Sequence, residues 1–372
     1  MAVHNISCFP LGNADTSFIQ LDNDKTILVD FANRGDQDDE DNKYSDLSKE
    51  IREKLGDKNE ITVVTLTHLD EDHVYGFSDF FYLEYADKYQ DEDRIHINEL
   101  WVPAAALTEE GLTGDARIVR QEARHRLKNK FGIKIFSNPK YLKEWAEEEN
   151  VDLDEYSNLF VDAGTIVKTF NKQDDLIEFF THSPFASRNE EGELINRNKD
   201  SIAINARFYT ENQSTTSVNL FSDLEYDDIE RIINISEYHE NEDRLEWDIF
   251  HLPHHCSYKA LNEEKGDEKT TPTEKVQKLF EDYYEINPLI ISSSEPTEKN
   301  DSDQPPHKEA ANYYREIVSD NSGKFLVTME HPNISSPEPI EIEISDHGYE
   351  IKKEVTTGAA TIAGSKARRA GN

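Results

Sequence analysis

The sequence predicts a layered α/β fold in a single domain. Two observations carry this. Short β-like runs alternate with amphipathic helical stretches along nearly the whole chain, and no linker cuts that alternation in two. A third is size, since 372 residues with 36% hydrophobic content can bury a substantial core.

The elements follow in order. Asn5 to Phe9, Thr16 to Leu21 and Thr26 to Phe31 read as strands, separated by the turn signals Gly12-Asn13 and Asp22-Asn23. An acidic loop (Asp36, Asp38, Asp39, Glu40, Asp41) precedes a helix over Ser45 to Leu55. Ile61 to Leu66 is β-branched and bounded by polar residues, which suits a buried strand. Residues 104–149 are rich in Ala, Glu, Lys and Arg and read as a helical insertion. Strand-like runs return at Thr165 to Phe170, Leu176 to Thr181, Ser201 to Phe208 and Ser217 to Phe221. A helix over Tyr226 to Ser236 leads to a strand at Trp247 to Leu252. Beyond a polar loop near Lys265 to Thr271 come a helix at Val276 to Tyr284 and a strand at Leu289 to Ser292. A helix over His307 to Val318 and strands near Phe325 to Met329 and Ile340 to Ile344 close the body. The domain is expected to span 1–355, with 356–372 a disordered tail carrying Lys366, Arg368 and Arg369. No internal repeat of fixed period is present.

Composition narrows the functional classes. The formal charge is −37, so broad non-specific binding to duplex DNA is disfavoured. Such a surface serves solubility or salt adaptation, or it steers cations or a basic protein partner. No apolar stretch has bilayer length, and the first ten residues lack a basic region followed by an apolar block. Cys8 and Cys256 are the only cysteines, so no disulfide framework supports the fold. A cytoplasmic protein without membrane attachment is expected.

Chemistry concentrates at the ends of the β-like runs. Directly after Ile61 to Leu66 comes His68-Leu69-Asp70-Glu71-Asp72-His73, which packs four metal-ligating side chains into six residues. Imidazole and carboxylate suit zinc, manganese or iron. The competing reading is a polar loop whose Asp caps a helix beginning near Val74. His182 ends the run Phe179-Phe180-Thr181, Asp223 follows Leu220-Phe221-Ser222, and His254-His255-Cys256-Ser257 follows Phe250-His251-Leu252-Pro253. Asp223 alone would more often be a helix cap. Four strand ends that each deliver His or Asp point instead to one sheet edge arranged around metal. Phosphate-loop and dinucleotide glycine patterns, His-Glu-x-x-His and an EF-hand loop are all absent.

The order and content of these segments resemble the metallo-β-lactamase superfamily, with its usual His-x-His-x-Asp-His. They are most similar to the branch containing the hydrolase domain of the competence DNA-uptake channel. That branch carries Thr/Ser-His-x-Asp-x-Asp-His, then Gly-Asp at a strand end, then His-His-Gly-Ser. The corresponding residues are Thr67 to His73, Ser222-Asp223 and His254-His255-Cys256-Ser257, and Gly12 to Thr16 with Ile27 to Asp30 resemble the opening hairpin. The likeness covers about the first 330 residues. Asp70 stands for the second histidine of the usual motif, and Ser222 and Cys256 replace glycines. Cys256 is either a soft extra ligand or a small buried filler.

The resemblance implies an αββα sandwich of two mixed β-sheets flanked by helices, and two divalent ions, zinc or manganese. His68, Asp70 and His182 would hold one ion. Asp72, His73 and one of His254 or His255 would hold the other, with Asp223 bridging. Asp30 either orients a ligand histidine or caps a turn. Ions about 3.5–4 Å apart would share a water and supply hydroxide near neutral pH. Asp72 or the spare histidine of the pair, with His255 the candidate, would relay the proton. His307, after Pro305-Pro306, either contacts substrate phosphate or is a surface helix-start residue. His4, His96, His239, His331 and His347 lack such context and are expected on the surface.

The function so implied is a metal-dependent hydrolase, foremost a phosphodiesterase or nuclease acting on small nucleotides, single strands or a substrate delivered by a partner. The alternatives are a thioester, lactone or amide hydrolase on the same site, and a metal-stabilised interaction protein with little activity.

Overall fold

In the computed structural model the residues described are 2–35, 42–137, 139–184, 200–299 and 303–352. The expected acidic loop and basic tail lie outside them, in 36–41 and 353–372. The first strands are β1 (His4–Cys8), β2 (Ser17–Gln20), β3 (Thr26–Val29), β4 (Glu60–Thr65) and β5 (His96–Pro103). Next come β6 (Ile133–Phe136), β7 (Phe160–Val161), β8 (Ile177–Ser183), β9 (Ala203–Tyr209) and β10 (Thr215–Leu220). The last are β11 (Trp247–His251), β12 (Tyr284–Ser292), β13 (Lys324–Val327), β14 (Ile340–Ser345) and β15 (Gly348–Ile351).

They form two mixed sheets. One has nine strands in the order β15-β14-β1-β2-β3-β4-β5-β6-β7, and the other six in the order β13-β12-β11-β10-β9-β8. Hairpin neighbours such as β1/β2, β2/β3, β8/β9 and β9/β10 are antiparallel. The pairs β3/β4, β4/β5, β5/β6, β10/β11, β11/β12 and β12/β13 are parallel. A parallel pair needs a crossover, and helices supply it in five of these six. Leu47–Leu55 joins β3 to β4, Gly114–Asn129 joins β5 to β6, and Tyr226–Tyr238 joins β10 to β11. Glu274–Glu281 joins β11 to β12, and Lys308–Asp320 joins β12 to β13. The β4 to β5 crossover carries only the short turns at Glu71–Val74, Phe77–Phe80 and Asp87–Tyr89.

Side-chain alternation shows the layering. Along β3, Ile27 and Val29 join the apolar cluster between the sheets, while Leu28 faces a second cluster with Leu47, Ile51 and Val119 of the helices. Along β12, Leu289 and Ile291 face the other sheet, and Ile290 packs with Ile229, Val276 and Tyr314. Both sheets are therefore buried on two faces over their middle strands, giving helix, sheet, sheet and helix layers.

Three sequence expectations change. Segment 104–149 is not purely helical, because it contains β6 and serves as a crossover of the large sheet. Buried Arg126 fastens it, pairing with Glu122 at 2.6 Å and donating to the carbonyls of Ile97 and Gly132. Thr165 to Phe170 forms no strand; it touches β8 through one isolated bridge, Ile166 to Phe180, after the left-handed turn at Gly164. His4 is buried rather than on the surface, with Nε2 3.3 Å from the Tyr209 carbonyl. No helix among the described residues is long and apolar enough to cross a membrane.

Candidate metal centre

The carboxyl ends of β3, β4, β10, β11 and β12 point to one rim, the usual place for ligands in sheets of this kind. Asp30 follows β3, residues Thr67 to His73 follow β4, Ser222 and Asp223 follow β10, and His251 to Cys256 end and follow β11. Asp15 precedes β2, which runs antiparallel to β3, so the start of β2 lies at the same rim. The loops are tied together through their backbones. Asp30 N donates to the Thr65 carbonyl, Phe31 N to that of His73, Asp15 N to that of Asp72, and His254 N to that of Ser222.

Asp15, His73, Asp223 and His255, all buried, each offer a ligand atom, and these atoms lie within 4.8 Å of one another. The orientation of each ring is set from behind. His73 Nδ1 donates to Asp30 Oδ2 at 2.8 Å, which leaves Nε2 facing Asp223 Oδ1 at 3.4 Å. Asp30 is itself fixed by Thr67, whose N and Oγ1 both donate to it at 2.7 Å. His255 Nδ1 donates to the Ser293 carbonyl at 2.8 Å, leaving Nε2 3.1 Å from Asp72 Oδ2 and 3.8 Å from Asp223 Oδ2. A ring nitrogen held by a carboxylate or carbonyl while the other turns inward is the usual arrangement of ligand histidines.

Burial and charge pull against each other here. Burial alone would lower the His255 imidazole, but Asp223, Asp15 and Asp72 push it up to about 9. His73 is likewise opposed by burial yet raised by Asp30, Asp223 and Asp72. Burial would raise Asp223, and the charges of His255 and His73 instead hold it well below the ordinary carboxylate range. Asp72 is held low in the same way by His73 and His255. The cluster thus gathers more negative groups than two imidazoles neutralise. Asp15 Oδ1, His68 Nε2, His73 Nε2 and Asp223 Oδ1 are buried without a hydrogen-bond partner. Orphaned inward-facing donor atoms with this chemistry fit a divalent cation.

The other expected ligands sit at different distances from this cluster. His68 lies against His73, their rings tilted at 51° with centres 4.0 Å apart, and its Nε2 is 3.6 Å from Asp70 Oδ2. His68 and Asp70 therefore offer a second position beside the first. His182 lies apart: its Nε2 donates to the Arg244 carbonyl at 3.1 Å, its ring packs on Phe180 and Phe221, and burial lowers it to about 4. The structure does not bring it to the cluster. Of the two neighbouring histidines, His255 joins the cluster, whereas His254 keeps a buried Nδ1 without partner. His307 is buried, not superficial, with its ring edge-on to Tyr258 at 4.8 Å, and burial lowers its imidazole below the ordinary value.

Two residues escaped the sequence reading. Asp15 lies within the hairpin Gly12 to Thr16, and an acid just before a strand gave no signal that set it apart. His251, the last residue of β11, has Nε2 2.8 Å from Ser293 Oγ and 3.9 Å from Asp15 Oδ1. Left-handed backbone marks the rim: Asp30, Ser222, His254, His255 and Cys256 have φ of 57°, 48°, 52°, 51° and 64°. Such φ favours glycine, so Ser222 and Cys256 hold backbone that a side chain strains. Cys256 is fully buried in the apolar cluster with Phe250 and Tyr314 and stands outside the group of gathered ligand atoms, so it acts as a filler.

No protein family and no curated protein matches the chain. Among solved structures it is similar to unliganded yeast PDE1, at 10% identity and a TM-score of 0.44, over 88% of this chain and 97% of that one. At that distance the likeness bears on neither fold nor activity.

Proposed function

We propose that the chain is a metal-dependent hydrolase, and that its reaction is cleavage of a phosphodiester. The observation that carries this is the buried group of Asp15, His73, Asp223 and His255, with Asp72 at its open side. Those four residues would hold one divalent ion, zinc or manganese, and His68 with Asp70 would contribute to a second. A cation there lowers the pKa of water and neutralises charge that develops on a phosphate in the transition state. The protein's own part is orientation: Asp30 fixes His73, and the Ser293 carbonyl fixes His255. Asp72, about one-third exposed and 3.1 Å from His255, stands at the open side as a carboxylate placed to accept a hydrogen bond from, and so orient, an attacking water. The motif order supports the same reading through its resemblance to the competence-channel hydrolase branch. The charge of −37 favours small or single-stranded substrates over duplex DNA.

The test is turnover of bis-p-nitrophenyl phosphate with Mn²⁺ or Zn²⁺, beside a lactone and a thioester. Diester cleavage that Asp223→Ala lowers by about 100-fold or more is expected. Turnover of only the carbonyl substrates would replace the phosphodiester reading, and metal binding without turnover of any would favour an interaction protein.

A further inference from the structure

Asp72 opens onto a cavity of about 520 Å³ lined by Asn13, Arg34, Tyr44, Glu71, Asp72 and Tyr75. That is room for a molecule of mononucleotide size. Glu71 and Asp72 make its inner side acidic, and the whole chain carries −37, so an anion has no general reason to enter. Among the described residues of this lining Arg34 is the cation, an exposed residue whose guanidinium is tethered at two points. Its Nη1 donates to the Asn13 carbonyl at 2.9 Å, and its guanidinium lies 5.7 Å from the centre of the Tyr44 ring. Both supports are themselves anchored. The Tyr44 hydroxyl donates to Glu295 Oε1 at 2.6 Å. Asn13 accepts from Glu295 N at 2.9 Å and donates to the Pro305 carbonyl at 2.6 Å. A guanidinium fixed on an aromatic ring is already oriented to receive a planar or tetrahedral oxyanion. Tyr75 completes the wall; it is 46% exposed, and its carbonyl is pinned by Asn33 N at 2.9 Å.

We propose that Arg34 is the specificity-determining residue of this site: it receives an oxyanion of a compact phosphate ester whose flat ring lies against Tyr75. The proposal rests on the hydrolase reading for the place of the reacting bond, which this cavity adjoins. Arg34 and Tyr75 then divide recognition between charge and ring, and each half can be measured without turnover.

The experiment is calorimetric titration of the full chain with AMP, ribose 5-phosphate and adenosine, with Mn²⁺ and again after EDTA. Arg34→Gln is expected to weaken AMP and ribose 5-phosphate by about 10- to 100-fold and to move adenosine by less than about threefold. Arg34→Lys recovers part of the loss, and Tyr75→Ala weakens AMP and adenosine but not ribose 5-phosphate. Wild-type protein that binds none of the three overturns the proposal, as does Arg34→Gln that binds AMP normally. Equal loss of adenosine in Arg34→Gln marks a structural role and also overturns it. Arg34-dependent AMP binding by a protein that holds no metal would sink the hydrolase reading and leave this one standing.

Discussion

His73 and His255 each commit one ring nitrogen to an acceptor in the protein and turn the other toward the cluster. That pattern makes Asp30 a positioning residue, since its two oxygens accept separately from Thr67 N and His73 Nδ1 and an amide in its place could accept from only one of them. Asp30→Asn should weaken Mn²⁺ or Zn²⁺ binding by about 10- to 100-fold in a metal titration, and an unchanged affinity would remove Asp30 from this role. His182 supports the opposite expectation. Because it stands outside the group of Asp15, His73, Asp223 and His255 and packs on Phe180 and Phe221, His182→Ala should keep the full metal content by elemental analysis while lowering stability. Loss of one equivalent of metal from that variant would restore His182 to the ligands. At this scale the sequence pointed to His73, Asp223 and His255, which the fold gathers with Asp15, because residue type and strand-end position coincide. Asp15 could not be named, because an acid before a strand is commonplace and its burial depends on loops far away in the chain. The position of His182 was equally invisible, since a strand shows which side chains share a face but not which carbonyl one of them meets.

Among elements, β11 leads into His251 and His255 and carries an electrostatic burden of its own. Its half-buried Asp248 accepts from Ser217 N at 2.7 Å. Burial nevertheless raises this carboxyl to about 6, with Glu285 and Glu246 adding to the rise. The native state therefore binds a proton more tightly than the unfolded chain, whose carboxyl titrates near 3.8. Stability must fall as pH rises through that window, and the full penalty is felt above about pH 6. Asp248→Asn, which keeps an acceptor for Ser217, should raise stability at pH 7 by about 1–2 kcal/mol and change it little near pH 4. Chemical denaturation at the two pH values decides this, and equal effects at both would contradict it. Strands with clean alternation, such as β14 with Ile340, Ile342 and Ile344 inward, are readable from sequence. Neither β5 nor β6 was, because the helix-rich composition around 104–149 masked β6, and the run His96 to Pro103 mixes Asn and Glu with its apolar residues.

For the molecule as a whole, the αββα layering was legible from interleaved elements and motif order, but the partition into nine and six strands was not. Strand order depends on non-local pairing such as β1 with β14, more than 330 residues apart. Folding likewise gathers Asp15, His73, Asp223 and His255 from distant segments of the chain. A cation that binds only this assembled state must stabilise it. Saturating Mn²⁺ should raise Tm by a few degrees over EDTA-treated protein, while Asp223→Ala should abolish the difference. An equal rise in that variant would mean that the metal acts elsewhere on the acidic surface.

The most direct measurement is an anomalous difference map from crystals soaked in Mn²⁺ or Zn²⁺. A metal centre built as described predicts a peak about 2.0–2.3 Å from atoms of Asp15, His73, Asp223 and His255. A fully soaked crystal with no peak among those four residues, or with metal only at surface carboxylates, would contradict it.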